Sequence, residues 1–170
     1  MMNEIRLLFG KAVIRDRQEF LSALRALQTR HGCVIQALDA DKVVSEMHLI
    51  FATRKALLAI ASGRNVAKDP GVEILRYASG ERQIERALAM GISDSTERIA
   101  LVMASLGGGC SWPKASELSA LVEPDGIGCS FKSAAVTEIF NISPEEIEAV
   151  GKARIPDLVL ERVALVETYR

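Results

Sequence analysis

The chain has 170 residues, of which 49% are hydrophobic, 25% charged and 5% aromatic, and its formal net charge is −1. That balance suits one globular domain, residues 1–170, around an aliphatic core. Near-neutrality excludes a protein that coats nucleic acid through its overall field, so any RNA contact must be a local patch.

The opening Met-Met-Asn-Glu-Ile-Arg lacks the apolar run of a secretory leader, and no stretch of about 18 apolar residues follows. A cytoplasmic protein without membrane contact is expected. Residues 4–14 alternate Ile5, Leu7 and Phe9 and predict a strand. Asp16-Arg-Gln-Glu19 is a capping box in its Asp form. It opens a helix with the apolar stripe Phe20, Leu21, Leu24 and Leu27, closed by Gly32. Residues 33–38 predict a second strand. Asp39 and Asp41 start a long helix over 43–62, whose core face reads Met47, Ile50, Phe51, Arg54, Leu57, Leu58 and Ala61. The same helix carries a small-sided, mildly basic stripe, His48, Ala52, Lys55, Ala59 and Ser62. It suits close approach of a ligand or partner; the plainer alternative is a histidine bonded to a backbone carbonyl.

After a polar connection, residues 72–78 predict a third strand and 81–90 a helix. Residues 98–105 predict a fourth strand, with Ile99, Leu101 and Met103 alternating. Leu106-Gly-Gly-Gly-Cys110 lacks both a following Lys-Ser/Thr and a Gly-x-Gly-x-x-Gly spacing, so it reads as a flexible exit, not a phosphate loop. The remainder is broken helix: 113–122, a turn at Pro124-Asp-Gly126, 132–140, a helix opened by Ser143-Pro-Glu-Glu146, and 156–167. The fold expected is α/β: one domain with a small mixed β-sheet of about four strands packed with helices, and a helical C-terminal third. Cys33, Cys110 and Cys129 are widely spaced and form no Cys-x-x-Cys pair. They read as buried thiols in a reducing cytosol, with no metal and no cofactor.

The most informative stretch lies around Ser79-Gly80. Read as a helix start, it offers unpaired backbone N–H groups and the positive end of the macrodipole. Arg82 and Arg86 lie four apart on one helix face. With Lys55, Arg64 and Lys68, and with Asn65, Ser79 and Gln83 as polar neighbours, they allow two readings, equal on spacing alone. One is a seat for a phosphate or carboxylate; the other is an ordinary solvated helix in which Glu81 and Glu85 partly neutralise the arginines. No nucleophile, base or metal ligand accompanies them, so the chemistry points to binding. The last helix is apolar on more than one side. Leu158, Val159, Leu160, Val163 and Leu165 cannot all point into one core wall, which leaves a stripe for a partner.

Val72-Glu-Ile-Leu, Tyr77-Ala-Ser-Gly, Arg82-Gln-Ile84, Ala87-Leu88 and Gly91-Ile92 resemble the small kinase-binding subunit of the KEOPS complex, the archaeal and eukaryotic tRNA-modifying assembly. The resemblance extends to His48-Leu49, Ala56, Gly63, Asn65-Val66-Ala67 and residues 158–164. Arg76 stands where that pattern has an aliphatic. The resemblance implies a non-enzymatic subunit that binds the N-lobe of a small atypical kinase working as an ATPase. Through the kinase it reaches the threonylcarbamoyl-transferase subunit, which forms N6-threonylcarbamoyladenosine in tRNA. It implies that archaeal members hold the single-stranded CCA end of the tRNA. On that reading Lys55, Arg64, Asn65, Lys68, Ser79, Gly80, Arg82, Gln83 and Arg86 meet the RNA, and the stripe of the last helix meets the kinase. The alternative is a small-molecule phosphate- or nucleotide-binding α/β domain, binder or enzyme, using Ser79-Gly80 as its cradle. A homodimer through the last helix is the third reading.

Overall fold

The computed structural model describes residues 4–168. Four strands form one sheet in the order β2-β3-β1-β4: β1 (Ile5–Ala12), β2 (Val34–Asp39), β3 (Arg98–Ala104) and β4 (Val122–Pro124). The helices are α1 (Arg17–His31), α2 (Glu46–Ala61), α3 (Pro70–Ser79), α4 (Ile84–Ala87), α5 (Ala115–Ser119), α6 (Ser133–Ile139), α7 (Pro144–Val150) and α8 (Ile155–Ala164). The α/β class and the helical C-terminal third stand as expected. All three strand pairings are antiparallel. β1 and β2 run the same way, but β3 is inserted between them, so the β1-α1-β2 unit is split and no parallel pair forms.

The sheet is buried on both faces. Ile99, Leu101 and Met103 of β3, with Ile35 and Ala37 of β2, meet Phe20, Leu24 and Leu27 of α1. Ala100, Val102 and Ala104, with Val34 and Leu38, meet α2, α3 and α8 on the opposite face. The capping signals fall where the sequence puts them. Asp16 accepts from the Glu19 N–H, Gly32 closes α1 with a left-handed φ of 66°, and Ser143 and Glu146 form a reciprocal capping box.

Three elements differ from expectation. The long helix does not start at Asp39 and Asp41. Asp39 caps only a short 3₁₀ turn, Ala40–Lys42, and α2 begins after Ser45, whose side chain accepts from the His48 N–H. The expected strand 72–78 is helix α3. Asp69 caps its start, Pro70 occupies its first turn and Gly80 closes it. The fourth strand is instead Val122–Pro124, where a helix end and turn were expected.

The expectation of three free thiols is corrected as well. Cys33 and Cys110 form a disulfide with Cα atoms 5.2 Å apart; Cys129 is free. Gly107, Gly108 and Gly109 all have positive φ, and this turn swings Cys110 back onto the end of α1. No helix among the described residues is long and apolar enough to cross a membrane. Met1–Asn3, part of the opening stretch on which the expectation about a secretory leader rests, lie outside the described residues.

Candidate functional site

The sign of the Ser79-Gly80 feature is opposite to the expected one. Gly80 is the cap at the C-terminal end of α3, with φ 69° and its N–H bonded to α3 carbonyls. That end of a helix presents carbonyl oxygens and the negative pole of the dipole. α4, which follows, is only four residues long. The N–H cradle expected here does not form, and the phosphate- or nucleotide-cradle alternative loses its geometry. Arginines alone supply the positive field.

The structure brings two of the expected arginines together. Arg64 and Arg82 line a cleft of about 120 Å³ with Arg76 and Tyr77, walled by Val66 and Val166. Glu167 lies in the same cleft. It accepts a hydrogen bond from the Tyr77 hydroxyl at 2.8 Å, with Arg64 Nη1 at 3.7 Å and Lys55 Nζ at 3.9 Å. The Tyr77 hydroxyl and these two cations hold its carboxyl below the usual range. Tyr77 moves the other way: burial, then the adjacent carboxylate, push its hydroxyl up.

The other expected residues are dispersed. Ser79 is buried, and its hydroxyl is used within α3, donating to the Arg76 carbonyl and accepting from the Glu81 N–H. Asn65 donates to the Ala67 carbonyl. Lys68, Gln83 and Arg86 are exposed but do not line the cleft.

Sequence reasoning missed Arg76, Tyr77 and Glu167. Arg76 is 4% exposed, with Nε 3.1 Å from Oε1 of the fully buried Glu73. Glu73 uses its oxygens on the Val66 and Ala67 N–H groups, which shapes the loop carrying Arg64. Nε and Nη1 of Arg76 have no aligned hydrogen-bond partner among the described residues; Glu73 is near in distance only. A charged residue standing in an aliphatic place was the available signal.

The partner stripe also moves. Val159 and Val163 of α8 are fully buried in the core, and Leu158 packs against it. Val159 and Val163 offer no surface to a kinase or to a second copy of the chain, and Leu158 remains half-buried. Leu160 and Leu165 are half-buried. On α2 both expected stripes divide. Of the small-sided one, His48, Ala52 and Ala59 are buried together with Ala56, while Lys55 is half-buried and Ser62 exposed. Of the stripe expected in the core, Leu57 is buried and Phe51 packs against the core, but Met47 is 53% and Leu58 60% exposed, with Arg54 and Ala61 exposed and Ile50 half-buried.

His48 is structural. Its Nδ1 accepts from the Val44 N–H at 3.2 Å, and its Nε2 lies 2.7 Å from the Ala78 carbonyl. Nδ1 must therefore carry the lone pair and Nε2 the proton, which fixes a neutral ring joining α2 to the end of α3. Burial lowers its pKa from 6.5 to about 4, against the opposing Ala78 bond. A group depressed in the folded state takes up its proton first when unfolded. Its contribution is complete above the unfolded value and lost as pH falls toward the folded one. Denaturant melts are expected to lose about 3 kcal/mol between pH 6.5 and 4. His48→Gln should flatten that slope, and an unchanged slope would contradict this role.

A larger cleft, about 600 Å³, lies at the end of β1 and the start of α1. Lys11, Arg15 and Arg17 line it together with Asp94 and Glu97, so its charges are mixed. The hydroxyls of Ser93, Ser95 and Thr96 there bond to one another.

The model of the family described as kinase binding protein CGI-121 matches residues 13–167. The match spans nearly the whole chain, and the chain belongs to this family. The resemblance carried by Tyr77-Ala-Ser-Gly and Arg82-Gln-Ile84 is borne out. No curated protein matches the chain.

Proposed function

We propose that this member of the kinase-binding CGI-121 family is a non-catalytic accessory subunit of the KEOPS assembly in the cytoplasm. It docks on that assembly's small atypical kinase, and through it reaches the threonylcarbamoyl-transferase subunit. It also holds the single-stranded CCA end of a tRNA during formation of N6-threonylcarbamoyladenosine. Family membership supports the kinase half. The observation that carries the RNA half is the convergence of Arg64 and Arg82 on one cleft, with Lys55 beside it.

An RNA end offers phosphates, 2′-hydroxyls and unstacked bases. The arginines suit the phosphates. Few aromatics are available for stacking, and exposed Val66, Ile84 and Leu88 supply apolar walls instead. The docking surface is the outward stripe of α2, which packs beside α8 and its half-buried Leu160 and Leu165. On α2 the large apolar side chains of Met47 and Leu58 are left outside the core.

Arg82 and Arg86 are exposed, so reversing both charges leaves the core intact. Arg82→Glu with Arg86→Glu is expected to weaken tRNA retention in a filter-binding assay while kinase co-purification persists. For the native chain, about three phosphate contacts imply a roughly twentyfold loss of affinity over a fourfold rise in salt. Equal tRNA binding by the double variant would reject the RNA role.

A further inference from the structure

We propose that the cleft over Arg76 is a phosphate-binding site with Glu167 as its built-in competitor: the carboxylate occupies the site when it is empty, and an incoming phosphate displaces it. The proposal rests on the RNA reading only for the source of the phosphate, an RNA end or a free anion.

Two observations carry it independently. The first is Arg76 itself. Buried N–H groups without partners are rare in native proteins, and each calls for an explanation. Nη1 of Arg76 has no hydrogen-bond partner among the described residues, and Nε has only the poorly aligned Oε1 of Glu73 at 3.1 Å. Glu73 balances the charge of Arg76 while its two oxygens also accept the Val66 and Ala67 N–H groups, so the guanidinium keeps unused donors. The guanidinium borders a cleft of about 120 Å³, room for a few waters or one tetrahedral anion. Arginine presents a planar fork suited to such an anion.

The second is Glu167, which shows that the cleft accepts an oxyanion. Among the described residues its carboxylate makes one close hydrogen bond, to Tyr77, while Arg64 and Lys55 stay at 3.7 and 3.9 Å. The hold is loose. Glu167 lies beyond the last turn of α8 and is half-buried, so its side chain can leave the cleft by rotating while Val166 stays in the core. Arg64, Arg76, Arg82 and Lys55 against the carboxylates of Glu73 and Glu167 leave an excess of positive charge. Inorganic phosphate carries more charge than Glu167, and a phosphodiester of RNA, equal to it in charge, adds contacts to the other cations and apolar walls of the cleft, so either displaces the carboxylate.

The test uses the full chain with two probes: a short single-stranded RNA ending in CCA, read by fluorescence anisotropy, and inorganic phosphate, read by calorimetry. Glu167→Gln removes the competitor and is expected to tighten binding about threefold. Arg76→Lys keeps a cation beside Glu73 but loses the fork, and is expected to weaken binding roughly tenfold. Tyr77→Phe, which frees the carboxylate from its one close bond, stands in if Arg76→Lys melts early, and is expected to shift affinity in the same direction as Glu167→Gln. A gain of affinity is something structural damage does not produce. Native affinity for both probes in the Glu167 variant together with the Arg76 or Tyr77 variant overturns the site, while the Arg82 and Arg86 reversals still decide the RNA reading. Phosphate binding that responds to these variants, with no RNA binding, keeps the site and removes the RNA source.

Discussion

Reducing the bond between Cys33 and Cys110 is expected to lower stability by about 4–5 kcal/mol, the loop-entropy value for a closed segment of this length. The bond spans 77 residues and links the start of β2 to the chain just after the three-glycine turn. The native contact does not depend on it alone. The Ser111 N–H donates to the His31 carbonyl, and Glu117 pairs with both His31 and Arg30, at 2.9 and 2.8 Å. The reduced protein therefore keeps its fold, and the loss falls mainly on the unfolded chain, which regains its freedom. For a chain of this size the midpoint of thermal unfolding should fall by about 10–15 °C. Burial pushes the remaining Cys129 thiol up to about 11, so it is a poor partner for exchange at neutral pH. Melting curves with and without reductant check the expectation, and Cys110→Ser should melt like the reduced native chain under both conditions. An oxidised protein that melts no higher than the reduced one would contradict it.

Much of the architecture is written in local signals, and the errors have identifiable physical causes. The β1, α1, β2 and β3 assignments follow from alternation and caps: Ile5, Leu7 and Phe9 share one side of β1, Ile99, Leu101 and Met103 one side of β3, and Asp16 and Gly32 bound α1. Residues 72–78 mislead because Val72, Ile74 and Tyr77 favour strands. Yet Asp69-Pro70 and Gly80 frame them with a helix start and stop ten residues apart, and the caps decide. That one exchange reverses the candidate site, since Ser79-Gly80 passes from the N–H end of a helix to its carbonyl end. The arginines survive the reversal because their charge does not depend on the backbone. Arg76 and Glu73 were illegible as a pair until α3 was a helix, where a spacing of three brings them to one face. The disulfide was beyond spacing arguments altogether, since only the glycine turn returns Cys110 to Cys33.

Aspartate at Met47 and Leu58 together is expected to weaken kinase binding at least about 100-fold while leaving the melting temperature nearly unchanged. Periodicity shows that α2 has two apolar faces but not which one the core takes. The fold chooses the face of His48, Ala52, Ala56 and Ala59, because α3 lies close against α2 and small side chains permit that approach. Met47 and Leu58 are then left outside on one side of α2 with Arg54 between them, and large apolar side chains exposed on a shared helix face mark an interaction surface. A buried anchor commonly costs 2 kcal/mol or more on truncation, and two anchors with two buried charges exceed the roughly 2.7 kcal/mol of a hundredfold change. The contrast with α8 makes the expectation specific. Val163→Asp places a charge in the core and should abolish folding and docking together. Calorimetry with the purified kinase, beside thermal melts of each variant, separates the two outcomes. If the α2 variant binds within threefold of the native chain, docking belongs instead to Leu160 and Leu165, and the outward stripe of α2 has another occupant.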